Sequence, residues 1–189
     1  MHLEIVHEFY ANALPMEGSP FAFKKRVRGK KIDFSRSAIN KFLRNPCTLG
    51  DGELDEYHIQ LAKRNLDYKH SRAKLCKGGH TYEVNALRNP LKFNRKSLKT
   101  KAQVLMFVVL YKIRPRSHTS SIPVETTCLL SYMLDEATID IARVILNEMK
   151  RVVLSNTRLG DRISCQLTYS GLVMGLCKKG NFKSRVMVM

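Results

Sequence analysis

The longest uninterrupted apolar run in this chain is Val104–Tyr111, eight residues. A membrane-crossing helix needs about 20, so the run predicts a buried element of a soluble fold. Leu98, Ala102, Leu105 and Val109 recur at i, i+4, i+7 and i+11, the period of a helix. Val and Phe favour sheets, but the segment's length and a cap at Ser97 argue for helix, stopped at Arg114-Pro115. The flanking residues are apolar too, which predicts burial on most sides.

Shorter apolar clusters at the same spacing fill the rest. Leu3, Val6, Phe9 and Tyr10 predict an opening helix that stops near Leu14-Pro15. Ser35 caps a short helix with Ala38, Ile39, Phe42 and Leu43 as its apolar face and Asn45-Pro46 as its end. Asp51 is expected to cap a helix presenting Leu54, Tyr57 and Leu61, whereas Asp67–Gly79 reads as a poor helix or loop. Pro123 suits the first turn of a helix to about Leu134. Thr138 caps the next, striped by Ile141, Ile145, Met149 and Val152, and Ile163, Leu167, Val173 and Leu176 support a last helix stopped by Gly180. The pattern changes at Phe21, Phe23, Val27, Ile32 and Phe34, which predict a hairpin near residues 21–34 turning at Arg28-Gly29-Lys30. Two more strands are expected near residues 81–84 and 91–93. The expected fold class is mainly α: one helical domain of six or seven helices across residues 1–189 with a small antiparallel β element, residues 181–189 forming a tail. A chain of this size buries roughly 70% of its extended surface and needs no staples.

Lys and Arg number 33 against 16 Asp and Glu, a formal charge of +17. Such an excess repels itself unless a polyanion neutralises it, so RNA or DNA is the expected partner, contacted through phosphates without sequence readout. The densest cluster is Lys24, Lys25, Arg26, Arg28, Lys30 and Lys31, and a second is Lys92, Arg95, Lys96, Lys99 and Lys101. Lys112, Arg114 and Arg116 form a third, and Lys178, Lys179, Lys183 and Arg185 a fourth. Phe21, Phe23, Phe34 and Phe93 interleave the first two, as stacking aromatics do in single-strand binders; Phe23 and Phe34, at strand spacing, more often pack on a core. Lys25-Arg26-Val27-Arg28 fits a nuclear import pattern, which suggests the nucleus.

Chemistry is sparse. Five cysteines, none close to another, read as reduced core thiols and not as a secreted framework. The opening MHLEIVHEFY carries Glu4 and Glu8 and no basic leader, so secretion is not expected. Cys76 and His80 form a single C-x3-H with no second ligand pair, so no metal site is expected. Gly175–Gly180 lacks the Lys-Ser/Thr ending of a phosphate-binding loop, and no nucleophile elbow, aspartic-protease triplet or paired-aspartate turn occurs. The acidic group Asp51, Glu53, Asp55 and Glu56 answers a helix dipole better than a catalytic need. No catalytic residue and no cofactor are expected.

Five stretches together resemble one family. They are Glu8–Asn12, VRGKKIDFSRSAINKFLRNP (Val27–Pro46), LCKGGHTY (Leu75–Tyr82), IRPRSHTSSIPVETTCLLSYML (Ile113–Leu134) and TIDIARVILNEM (Thr138–Met149). In order and spacing they resemble the putative plant transposon protein domain of retroelement-derived open reading frames, over roughly residues 5–180. Tyr82 and Leu105 stand where that family commonly has tryptophan, and Thr126 or Thr127 where it has arginine, which marks a drifted copy. The resemblance implies transposable-element origin and carries no catalytic residues. Leu167–Phe182 also looks like the first helix of a pentatricopeptide repeat, but no second copy precedes it, and Gly171 and Gly175 packed on a neighbouring helix is the simpler reading. The expectation is a non-catalytic nucleic-acid binder, with a self-associating capsid-like helical module, or a copy without retained function, as alternatives.

Overall fold

The structure, a computed structural model, describes residues 3–13, 22–45, 49–50, 52–116, 118–155 and 168–179. Its architecture is mainly α: eight α-helices among the described residues, with two small antiparallel sheets. Contacts divide the chain into two compact units, Met1–Cys47 with Ile141–Met189, and Thr48–Asp140.

The first unit holds α1 (Leu3–Ala13), β1 (Lys24–Val27), β2 (Lys30–Asp33), α2 (Arg36–Leu43), α7 (Ile141–Ser155) and α8 (Ser170–Lys179). Helix α1 ends one residue before the expected Leu14-Pro15 stop. The hairpin turns on Arg28 and Gly29, both at positive φ (49° and 75°), the two-residue turn whose twist matches paired strands. Ser35 caps α2 by accepting from the Ala38 N–H, and Arg44 closes it in the left-handed conformation. Val6, Phe9, Val27, Ile32, Phe34, Ile39, Ile145, Met149 and Val173 are buried in this unit. Phe9 and Phe34 meet edge to face at 4.9 Å. Phe23, expected to point inward, is 42% exposed: it stands one residue before β1, its carbonyl accepts from the Phe34 N–H at 2.9 Å, and the two rings meet edge to face at 6.2 Å. Gly175 sits against the Phe42 ring, which confirms close packing there, while Gly171 faces open space. Ile163, Leu167 and Gly180 lie outside the described residues.

The second unit contains α3 (Glu56–Ala62), α4 (Tyr68–Leu75), β3 (Glu83–Val84), β4 (Pro90–Asn94), α5 (Thr100–Val108), β5 (Ser121–Pro123) and α6 (Val124–Leu134). Helix α3 is capped by Asp55 and not by Asp51, which lies outside the described residues; Leu54 therefore precedes the helix and is exposed. Asp55 wins because its carboxylate meets three donors at once: the His58 N–H at 2.9 Å, His58 Nδ1 at 2.7 Å and the Asp140 N–H at 2.8 Å. Burial alone would raise its pKa; the bonds from the His58 ring, the Asp140 N–H and the His58 N–H outweigh that and hold it below the usual carboxylate value.

The stretch at 67–79, expected as a poor helix or loop, contains α4: Asp67 caps it and Ser71 joins a buried hydroxyl pair with Ser131 of α6 at 2.9 Å. The sheet is ordered β3-β4-β5, and β5, three residues entering α6, was not expected from sequence. Ser97 does not cap α5. It closes a 3₁₀ turn, Arg95–Ser97, and α5 starts at Thr100. After Val108 the helix widens into a π turn, Val109–Ile113. Helix α5 is also not buried on most sides: Ala102, Met106 and Val109 are buried, but Val104 and Tyr111 are each 61% exposed and Val108 49%. The helix starting after Thr138 begins at Ile141.

Candidate nucleic-acid interface

The two expected basic clusters fall in different units. In the hairpin the register decides which cations share a face. Lys25 opposes Ile32 and Val27 opposes Lys30, so these four lie on the side that buries Val27 and Ile32. Lys24 opposes Asp33 and Arg26 opposes Lys31, which puts Lys24, Arg26 and Lys31 together on the other, exposed side. Asp33, the acid on that side, turns its carboxylate to the Ser35 N–H at 2.8 Å. Among the described residues, Lys24, Arg26 and Lys31 make no salt bridge.

Arg28 has a different task. Its backbone N–H donates to Glu8 at 2.7 Å and its guanidinium to Glu4 at 2.8 Å, tying the turn to α1. The Asn12 amide adds a bond to the Arg26 carbonyl at 2.8 Å. These bonds offset the cost of a positive φ at a non-glycine residue, and they tie Glu8 and Asn12 of α1 to the strand and turn at Arg26 and Arg28.

In the second unit Lys92 pairs with Glu83 across β3 and β4 at 3.2 Å. Lys99 donates to the Ala73 and Lys74 carbonyls at 3.0 and 2.9 Å, closing the C-terminus of α4. Arg95 lies 5.7 Å from the centre of the Phe107 ring. Lys96 is exposed. Of the interleaved aromatics, Phe34 and Phe93 are fully buried, Phe23 is half exposed, and Phe21 lies outside the described residues. The exposed aromatic surface is elsewhere, at Tyr111, which stacks on the half-buried Phe107, 19° from parallel with centroids 6.1 Å apart. Sequence reasoning assigned this run to the core on hydrophobicity; only the spacing of Tyr111 from Val104, i to i+7 on one side, could have signalled an outward stripe.

Cys76, Cys128 and Cys177 are free and buried, and burial pushes the Cys128 thiol up to about 11. Among the described residues no group of three His, Cys, Asp or Glu could hold a metal ion, and no helix is long and apolar enough to cross a membrane. Thr126 and Thr127 are fully buried: Thr127 donates to the Pro123 carbonyl at 3.0 Å and Thr126 accepts from Arg114 at 3.2 Å.

Fold and surface define a strongly basic, mainly helical protein with two small antiparallel sheets. Residues 2–181 match the family model of the putative plant retrotransposon-related domain. The chain belongs to that family, as its motifs indicated, and derives from a transposable element. No curated protein and no solved structure matches it.

Proposed function

We propose that this protein is a non-catalytic nucleic-acid binder that acts in the nucleus and contacts phosphates through the outer face of its β1–β2 hairpin. The observation that carries this reading is the placement of Lys24, Arg26 and Lys31 on one exposed face without a salt bridge among the described residues, on a chain of charge +17. The paired register of the two-stranded ribbon sets its cations on one face, and α1 holds its turn through Arg28. Lys25 and Lys30 add charge from the inner side. The test is a titration with RNA and with DNA at two salt concentrations. Each phosphate contact contributes about 0.7–0.9 to the slope of log K against log salt. Changing Lys24, Arg26 and Lys31 to Gln should weaken binding and lower that slope by about 2–3, with the circular dichroism unchanged. Wild-type protein that binds nothing at low salt, or whose binding ignores salt, refutes the reading. The same triple variant, fused to a fluorescent protein, should lose nuclear enrichment.

A second reading, self-association as a capsid-like module, is favoured by one observation. The β3–β4 hairpin exposes Val84 (49%) on the edge strand, Leu87 (79%) in the turn and Leu91 (52%) on the central strand. Light scattering at high concentration decides: a strict monomer with and without nucleic acid excludes it.

A further inference from the structure

The outer side of α5 and its π turn is an aromatic stripe in an acid-free setting. Between Glu83 and Glu125 the chain has no acidic residue and nine Lys or Arg. Tyr111 is 61% exposed and stacked on Phe107, and the Arg95 guanidinium lies over the Phe107 ring at 5.7 Å from its centre. Val104 and Val108 complete the stripe, and Lys101 and Lys112, both exposed, border it at helical spacing. π turns are rare and concentrate at functional positions, and this one holds Tyr111, closed by the Arg114 N–H on the Val109 carbonyl at 2.7 Å.

An apolar helix face would ordinarily fit another protein. Two features point elsewhere. The sequence from residue 84 to 124 carries charge of one sign, and the Glu125 that follows it pairs with Arg114, so a second copy meeting this stretch would bring like charge to like charge, while a polyanion would be attracted. The exposed groups include a π-face already stacked on another ring, which a base can extend, and a guanidinium plane beside it. Basic borders with stacking aromatics are the features that hold single-stranded nucleic acid. A duplex hides its base faces and offers only phosphates.

We propose that Tyr111 and Phe107, with Arg95, Lys101 and Lys112 around them, form a stacking platform for unpaired bases of single-stranded RNA or DNA. This inference rests on the nucleic-acid reading above and adds the substrate class: single strands over duplex. Tyr111 supplies the outer ring, Arg95 holds Phe107 beneath it, and the lysines meet the flanking phosphates.

The experiment measures fluorescence anisotropy of end-labelled oligouridine, oligothymidine and a duplex of equal length, against wild type, Tyr111→Ala, Tyr111→Leu and Tyr111→Phe. Stacking of one base contributes about 1–3 kcal/mol, and tenfold corresponds to about 1.4 kcal/mol. Tyr111→Ala and Tyr111→Leu should therefore weaken single-strand binding about five- to a hundredfold, leaving the salt slope and the duplex affinity unchanged. Tyr111→Phe should retain binding, and all three variants should keep the wild-type circular dichroism because the side chain is exposed. Single-strand affinity of Tyr111→Ala within about twofold of wild type overturns the platform while leaving phosphate binding by the hairpin standing. Leucine working as well as phenylalanine, or an oligomer that Tyr111→Ala dissociates without loss of single-strand affinity, overturns it too and makes the stripe a protein contact. Wild type that binds neither single strands nor duplex removes both proposals.

Discussion

Replacing Gly175 with alanine tests the packing of α8 on α2. A Cβ at 175 would lie 2.3 Å from two carbons of the Phe42 ring, where carbon pairs settle at about 3.5–4.0 Å. The ring must therefore move by more than an ångström. Lys179 restrains it from outside, with its ammonium 5.1 Å from the ring centre and 3.2 Å from the Lys41 carbonyl. Overpacking of this kind costs about 1–3 kcal/mol. Alanine in a helix interior returns about 1 kcal/mol relative to glycine, so the net loss should be up to about 2 kcal/mol. Gly171 is the internal control: it lies in the same helix with nothing within 4 Å of an added Cβ, so Gly171→Ala should be neutral or stabilising by up to about 1 kcal/mol. Urea unfolding followed by far-ultraviolet circular dichroism measures both, since the chain has no tryptophan to report by fluorescence. In a double-mutant cycle, Phe42→Ala should abolish the cost of Gly175→Ala. Gly175→Ala at least as stable as Gly171→Ala, or a cost unchanged by Phe42→Ala, would refute the contact.

Gly29→Ala should destabilise by about 1–2 kcal/mol, all of it backbone, because φ is 75° and no atom lies within 4 Å of the new Cβ; thermal melting measures this. Asp55→Ala should cost about 3 kcal/mol in chemical denaturation, since it removes the α3 cap and strands buried donors of His58 and Asp140. Because the folded Asp55 carboxyl titrates below its unfolded value, its contribution is present in full above about pH 4 and is lost as pH falls through the folded value. Wild type should thus lose stability on acidification below pH 4 by more than Asp55→Asn does. Native protein treated with iodoacetamide at about pH 8 should remain unlabelled at Cys76, Cys128 and Cys177, whose burial raises all three thiols, and mass spectrometry should find label there only after denaturation.

Local signals placed most of the helices and the two hairpins. Ser35 capping α2 and a turn around Arg28-Gly29 are short-range chemistry, readable without the rest of the chain. Errors arose where a local choice was tied. Asp51 and Asp55 are both plausible caps, and the Asp140 N–H, distant in sequence, selects Asp55. The polar stretch at 67–79 left helix and loop both open, and a buried Ser71–Ser131 bond to α6 supplies what periodicity lacks.

By itself the sequence determined the charge, the mainly helical class and the family. Those depend on composition, spacing and order along the chain. Tertiary structure decided which cations and rings are available. Arg26 joined Lys24 and Lys31 outside, while Lys25 took the side of Val27 and Ile32, because strand register sets the face. Arg28 was committed to Glu4 and Glu8, and Lys99 to the end of α4. Phe34 and Phe93 went inside and Tyr111 stayed out, although all three read as apolar. Hydrophobicity says that a side chain gains from burial; only the packing of elements far apart in sequence determines whether a partner is there to bury it.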